Sequence, residues 1–218
     1  MGLDRYLNKK KKILKNKFGT EDKGLLREIE ANYTALRLRE IALSPLPGDY
    51  DYAHFCAIHQ YLFQDIYAWS GAPRMMDICK PEKVLGGKSV DYAPHREIPA
   101  LAAAAITRMT SIDWAALSFE EQVSRFAACV AELWKVHAFR DGNTRTVVQF
   151  CAQYADHVEM PLDRSVFYEH SCAFREALVL FTAVLTHFGD YSDREPLLAL
   201  MRQAFRQGQE DAESLWDA

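Results

Sequence analysis

Residues 136–146 read Val-His-Ala-Phe-Arg-Asp-Gly-Asn-Thr-Arg-Thr, which brings a histidine, a carboxylate, a glycine and two arginines into one short stretch. A turn between two helices needs only the Asp-Gly-Asn. The His, the acid and the Arg around that turn suit chemistry. Gly142 permits a positive φ, which lets successive backbone N–H groups converge on an anion. A helix starting near Asn143 adds its unpaired first-turn N–H groups and the positive end of its dipole. The combination is a phosphate site. Arg145, in the first helical turn, can fork onto a phosphate oxygen. Asp141 would repel a phosphate unless Mg²⁺ bridged the two. His137 is suited to accept a proton near neutral pH. Phe139 alternates with these groups and can anchor the loop in the core.

Two buried helices must hold this loop. Before it, Phe119, Val123, Phe126, Val130 and Leu133 follow a 4-3-4-3 spacing, the signature of an amphipathic helix. Ser118 and Glu121 predict a capping box at its start, and it runs to about Val136. After the loop, Val147, Val148, Phe150, Cys151 and Tyr154 predict a second buried helix over 144–156. Apolar positions from Leu25 to Ile41 predict a helix over 21–43, closed by Ser44-Pro45-Leu46-Pro47-Gly48. Further helices are expected over 52–63, 94–110, 165–188 and 194–207. The β signal lies in 74–79, followed by Lys80-Pro81 and Gly86-Gly87, so a small hairpin is expected within 72–91. The fold class is mainly α with one small β-hairpin.

Composition bounds the rest. The 218 residues are 49% hydrophobic, 12% aromatic and 26% charged, ordinary for a single globular domain and unlike a disordered or collagenous chain. The formal net charge is −4, which argues against binding nucleic acid through its phosphates. The one basic run, Lys9 to Lys12, reads as a solvated part of a basic N-terminal segment, 1–20, and the acidic residues of the tail, 208–218, as solvated too. Five widely spaced cysteines without a CxxC suit a reducing compartment. No signal peptide and no membrane-length apolar run is visible, so a cytoplasmic protein that engages no membrane is expected. His54 and His59 stand five positions apart, which separates them on a helix and disfavours a metal pair.

The segment HAFRDGNTR at 137–145 resembles the Fic motif, HPFx(D/E)GNxR. His59 to Gly71 is similar to the helix and turn that precede the flap of that family, Gly71 to Lys80 to the flap, and Leu14 to Gly19 to the approach to the domain. The resemblance covers nearly the whole chain and implies one Fic-type helical bundle spanning 1–218. It implies a protein adenylyltransferase that moves AMP from ATP to a Ser, Thr or Tyr hydroxyl of a target protein. His137 would then be the general base. Asp141 would hold Mg²⁺ against the α- and β-phosphates. Gly142, Asn143 and Thr144 would form the anion hole, and Arg145 would bind the β-phosphate. A flap hairpin carrying Arg74, Asp77, Ile78 and Lys80 would pair with the target as an added strand.

Three positions depart from the family pattern. Ala138 replaces the usual Pro. Thr144 replaces the usual Gly and would narrow the anion hole; the related Doc proteins have Lys there and are kinases, so a Doc-like phosphoryl transfer is an alternative. Val148 stands where many members have a second Arg for the γ-phosphate. An inactive Fic-fold binding module is the third reading. Many members carry an inhibitory (S/T)xxxE(G/N) helix. Here Ser165 and Glu169 alone fit part of it, in a segment that reads as structural, so a separate antitoxin protein is the expected source of inhibition.

Overall fold

The computed structural model describes residues 4–8 and 12–216. Eight helices form within them: α1 Lys23–Leu43, α2 Tyr52–Phe63, α3 Ile98–Thr110, α4 Phe119–Val136, α5 Asn143–His157, α6 Ser165–Glu169, α7 Ser171–Phe181 and α8 Glu195–Trp216. Side-chain caps set several starts. The Asp22 carboxylate accepts from Gly24 and Leu25 N–H at 2.7 and 3.0 Å, and Asp51 accepts from His54 N–H at 2.8 Å, each satisfying donors that the helix leaves free. Ser118 N–H donates to Glu121 Oε2 at 3.0 Å, closing the expected capping box of α4.

α4 lies at the centre of the molecule. It packs against α3, α5, α7 and α8, while α5 also packs against α2, and α1 covers α2 from outside. Val123, Phe126, Ala127, Val130 and Trp134 of α4 are buried, as are Val147, Phe150 and Ala155 of α5. The loop between α4 and α5 is therefore held at both ends by buried helices. None of the described helices is long and apolar enough to cross a membrane.

The chain is mainly α and carries a two-stranded antiparallel hairpin, but at a different place from the one expected. The paired strands are β1 Val184–Leu185 and β2 Gly189–Asp190. The segment 72–91 forms an extended flap with one short 3-10 turn, Lys83–Leu85, and no strand ladder. Pro73 and Pro81 remove donors. Lys80 N–H donates to the Ser89 hydroxyl at 3.1 Å instead of a facing carbonyl, and the flap's two arms are closed near its tip by Glu82 N–H to Lys88 O and Gly87 N–H to Glu82 O, both at 2.9 Å.

The helix expected over 165–188 is two helices and the hairpin. Thr182 Oγ1 bonds back to Leu178 O at 2.8 Å and ends α7, and Gly189 turns the hairpin at φ 98°. α8 runs on to Trp216, so most of the expected tail is helix. Gly208 allows this: a Cβ there would lie 2.5 Å from the Pro161 backbone. Lys9–Lys11 lie outside the described residues, and Lys12 is exposed. The rest of the N-terminal segment is not simply solvated. Tyr6 and Ile13 are buried, a bridge pairs Leu7 with Leu14, and Tyr6 OH accepts from Met75 N–H at 3.1 Å.

Candidate active site

His137 ends α4 in the left-handed conformation, φ 50° and ψ 55°. A non-glycine residue there costs roughly 1–2 kcal/mol. The turn reverses the chain and leaves the imidazole 4% exposed. It lies beneath the Tyr92 ring, 4.1 Å away at 36°, and edge-on to Trp134. Neither ring nitrogen has a hydrogen-bond partner among the described residues. Burial, and then the nearby cations Lys80, Arg74 and Arg175, hold its pKa well below the ordinary histidine value. The imidazole is thus neutral at neutral pH, the form that accepts a proton.

Asn143 staples the loop. Its Oδ1 accepts from Phe139 N–H and its Nδ2 donates to Phe139 O, both at 2.8 Å. That side chain is committed to the loop, so only the backbone of Asn143 is offered to a ligand. Phe139 is fully buried and stacks on His59, 3.8 Å between centroids at 12°. His59 Nδ1 accepts from Gly71 N–H at 2.8 Å, so its Nε2 carries the proton and donates to Asp141 O at 3.1 Å. Burial pulls the His59 pKa down to about 3. His59 is therefore a positioning residue for the loop. Its spacing from Phe63, one helical turn away, was the available sequence signal.

Gly142 adopts φ 78° just before α5. Its N–H donates to Asp141 Oδ1 at 2.8 Å, so the amides free to meet a phosphate are those of Asn143, Thr144 and Arg145, which have no carbonyl one turn back. Thr144 Oγ1 accepts from Trp134 Nε1 at 2.9 Å. Arg145 turns to α1: it donates to Glu30 Oε1 at 2.5 Å and Thr34 Oγ1 at 3.2 Å, and lies over the Phe63 ring. Glu30 and Thr34 had no signal in the sequence. Val148 is buried. Arg140 is forked by Asp4 at 3.0 and 2.7 Å. A cleft of about 360 Å³ adjoins Asp141 and is lined by Lys12, Lys23, Arg27, Glu30, Tyr67 and Arg140, among others.

The flap residues divide. Arg74 was expected to meet a target, yet it is 1% exposed. Its guanidinium donates to the carbonyls of His137 at 2.9 Å, Met76 at 2.8 Å and Ala93, and its N–H donates to Ala138 O at 2.8 Å. Arg74 thus fastens the flap to the loop instead of facing outward. Asp77 is exposed and accepts from His95 N–H at 2.7 Å. Ile78 and Lys80 are half-buried. Burial lowers the Lys80 ammonium below the ordinary lysine value.

Among the described residues no three His, Cys, Asp or Glu side chains are placed to hold a metal unaided. Asp141 offers one carboxylate oxygen beyond that taken by Gly142. Such a single-carboxylate site fits Mg²⁺ only together with phosphate and water oxygens.

The Fic/DOC family model matches residues 49–155. The protein adenylyltransferase VbhT of Bartonella schoenbuchensis is 29% identical over 154 residues, which are 70% of this chain and 30% of that protein. The matched stretch thus spans under a third of that relative's length. The probable protein adenylyltransferase y4lH of Sinorhizobium fredii is 32% identical over 155 residues, 70% of this chain and 76% of that protein. In structure, the chain is similar to the N-terminal Fic domain of a VirB-translocated Bep effector protein of Bartonella quintana, solved with bound ADP. The TM-score is 0.74 at 23% identity, over 91% of this chain and 93% of that one.

Proposed function

Because the chain belongs to the Fic/DOC family, we propose that it is a protein adenylyltransferase, which moves AMP from ATP to a Ser, Thr or Tyr hydroxyl of a target protein. The names of the two relatives support this. The observation that carries it is His137, desolvated and neutral, at the end of the loop whose other end is the open first turn of α5.

In this reading His137 takes the proton from the target hydroxyl. That oxygen attacks the α-phosphorus, the bond from the α-phosphorus to the bridging oxygen of the β-phosphate breaks, and pyrophosphate leaves. The N–H groups of Asn143, Thr144 and Arg145 meet the charge that grows on the α-phosphoryl oxygens. Asp141 would hold Mg²⁺, which when bound neutralises phosphate charge. Arg145 reaches the phosphates only by leaving Glu30. The target segment lies along the flap, where the N–H groups of Met76 to Cys79 have no partner among the described residues. The segment with Ser165 and Glu169 packs with α7 and α8, away from the loop, so restraint of the site would come from Glu30 or from a separate antitoxin-like protein.

ATP labelled at the α-phosphate should transfer its label to a target protein, and His137→Ala should lower that transfer by about 10²–10⁴-fold at matched folded fractions. Label transferred from the γ-phosphate instead would replace this reading by a Doc-like kinase. No nucleotide binding by calorimetry would leave only a binding module.

A further inference from the structure

Three residues that the proposed chemistry does not use form a connected chain to the base. Arg175 of α7 forks onto Glu82 of the flap, with Nη1 to Oε2 at 2.8 Å and Nη2 to Oε1 at 2.6 Å. The Glu82 side chain is 5% exposed, so this is a charge-assisted pair with one partner largely removed from water. The same Oε1 accepts from Tyr92 OH at 3.4 Å. The Tyr92 ring in turn covers His137 at 4.1 Å. On another side Tyr92 borders an open cleft of about 360 Å³, walled by Pro94, Leu101 and Val136 and rimmed by the charged Arg108, Glu132 and Lys135.

We propose that Tyr92 is a gate over His137, and that Arg175 and Glu82 are the positioning residues that latch it. The argument rests on the reading of His137 as the base. A base whose two ring nitrogens are both buried and unpaired cannot touch a target hydroxyl until something over it moves. The group lying over it, tilted by 36°, is Tyr92, and the cleft beside that ring supplies space for it to turn into without breaking the core. The weakest link in the chain is the hydrogen bond from Tyr92 to Glu82. The strong link, the Arg175 fork, fixes the carboxylate that this bond needs. Arg175 is 40% exposed in its side chain, so a target or a second protein bearing a carboxylate could compete for it and release the flap from outside.

Chemical access to the imidazole tests this in the full chain without requiring any transfer activity. Diethyl pyrocarbonate modifies neutral, accessible histidines, and peptide mass spectrometry gives a rate for each one. In the wild type His137 should react far more slowly than exposed His187. Arg175→Ala, Glu82→Gln and the smaller Tyr92→Leu should each raise the His137 rate at least tenfold. Arg175→Lys, which keeps the charge, should fall between wild type and Arg175→Ala. An unchanged rate in Tyr92→Leu would show that another group does the covering and would overturn the gate. A faster rate in Tyr92→Leu but not in Arg175→Ala or Glu82→Gln would overturn the latch. His59, fully buried, reports unfolding: a rise of His59 in step with His137 would mean lost structure instead of an opened gate, and would equally overturn the proposal. Absence of AMP transfer would refute the function proposed above and leave these access rates standing.

Discussion

Thr144 turns its hydroxyl to the indole N–H of Trp134, a ring that is fully buried. From the sequence its side chain is expected to narrow the anion hole. Its observed role is to satisfy a donor that water cannot reach. Thr144→Gly should therefore cost about 1–3 kcal/mol by stranding that N–H, read as a lower urea midpoint. Thr144→Ser, which keeps the oxygen, should stay within about 1 kcal/mol of wild type. Equal midpoints for the glycine and serine variants would show that the bond contributes nothing. Any gain in AMP transfer from a wider hole would come on top of this loss and has to be measured at matched folded fractions.

At the scale of elements, the start of α5 and the middle of α1 matter most. Gly142 holds a positive φ, and a Cβ there would sit 2.4 Å from the Phe63 ring of α2. Gly142→Ala thus combines left-handed strain with overpacking, together roughly 2–5 kcal/mol. A denaturation midpoint close to wild type would rule out this close approach of loop and helix. Glu30 of α1 occupies Arg145 of α5, with side chains 18% and 31% exposed respectively. A pair so placed is partly screened and is worth about 1 kcal/mol. Tyr67 OH also donates to Glu30; Glu30→Gln keeps an acceptor for it but removes the charge that competes with phosphate. ATP affinity by calorimetry should rise about 3–10-fold. An unchanged or weaker affinity would mean that Arg145 does not leave Glu30 for the nucleotide.

For the whole molecule, buried histidines set how stability follows pH. His59 is held down to about 3 by burial, and burial also lowers His54 and His137. Each binds its proton more readily in the unfolded chain, whose histidines titrate near 6.5. The unfolded state therefore takes up more protons as pH falls. The stability from these groups is complete above about pH 6.5 and is lost as pH falls towards their folded values. The loss approaches about 1.4 kcal/mol per pH unit for each such histidine. Unfolding free energies at pH 7, 5.5 and 4 should decline in that order, and His137→Ala should flatten the slope by nearly one proton. An identical slope in that variant would show His137 to be already protonated in the folded protein.

Much was written locally. The 4-3-4-3 spacing of α4, the capping box at Ser118 and Glu121, and Asp-Gly-Asn before α5 each depend on residues within a few turns of one another, so the two helices and the loop could be read from the chain. The same periodicity ran helices together over 165–188, because it does not see Thr182 bonding back to Leu178 or Gly189 turning a hairpin. The short run 74–79 between turn residues looked like a strand, but a strand needs a partner, and the flap forms no strand ladder. What the tertiary structure alone decided lies at long range. Arg145 meets Glu30 across 115 positions, Arg175 meets Glu82 across 93, and Arg74 reaches the His137 carbonyl across 63. By itself the sequence determined which groups could do chemistry and that a loop would hold them. Whether each group is free, latched or buried depended on which distant charge or ring the packed helices brought beside it, and no local spacing encodes that.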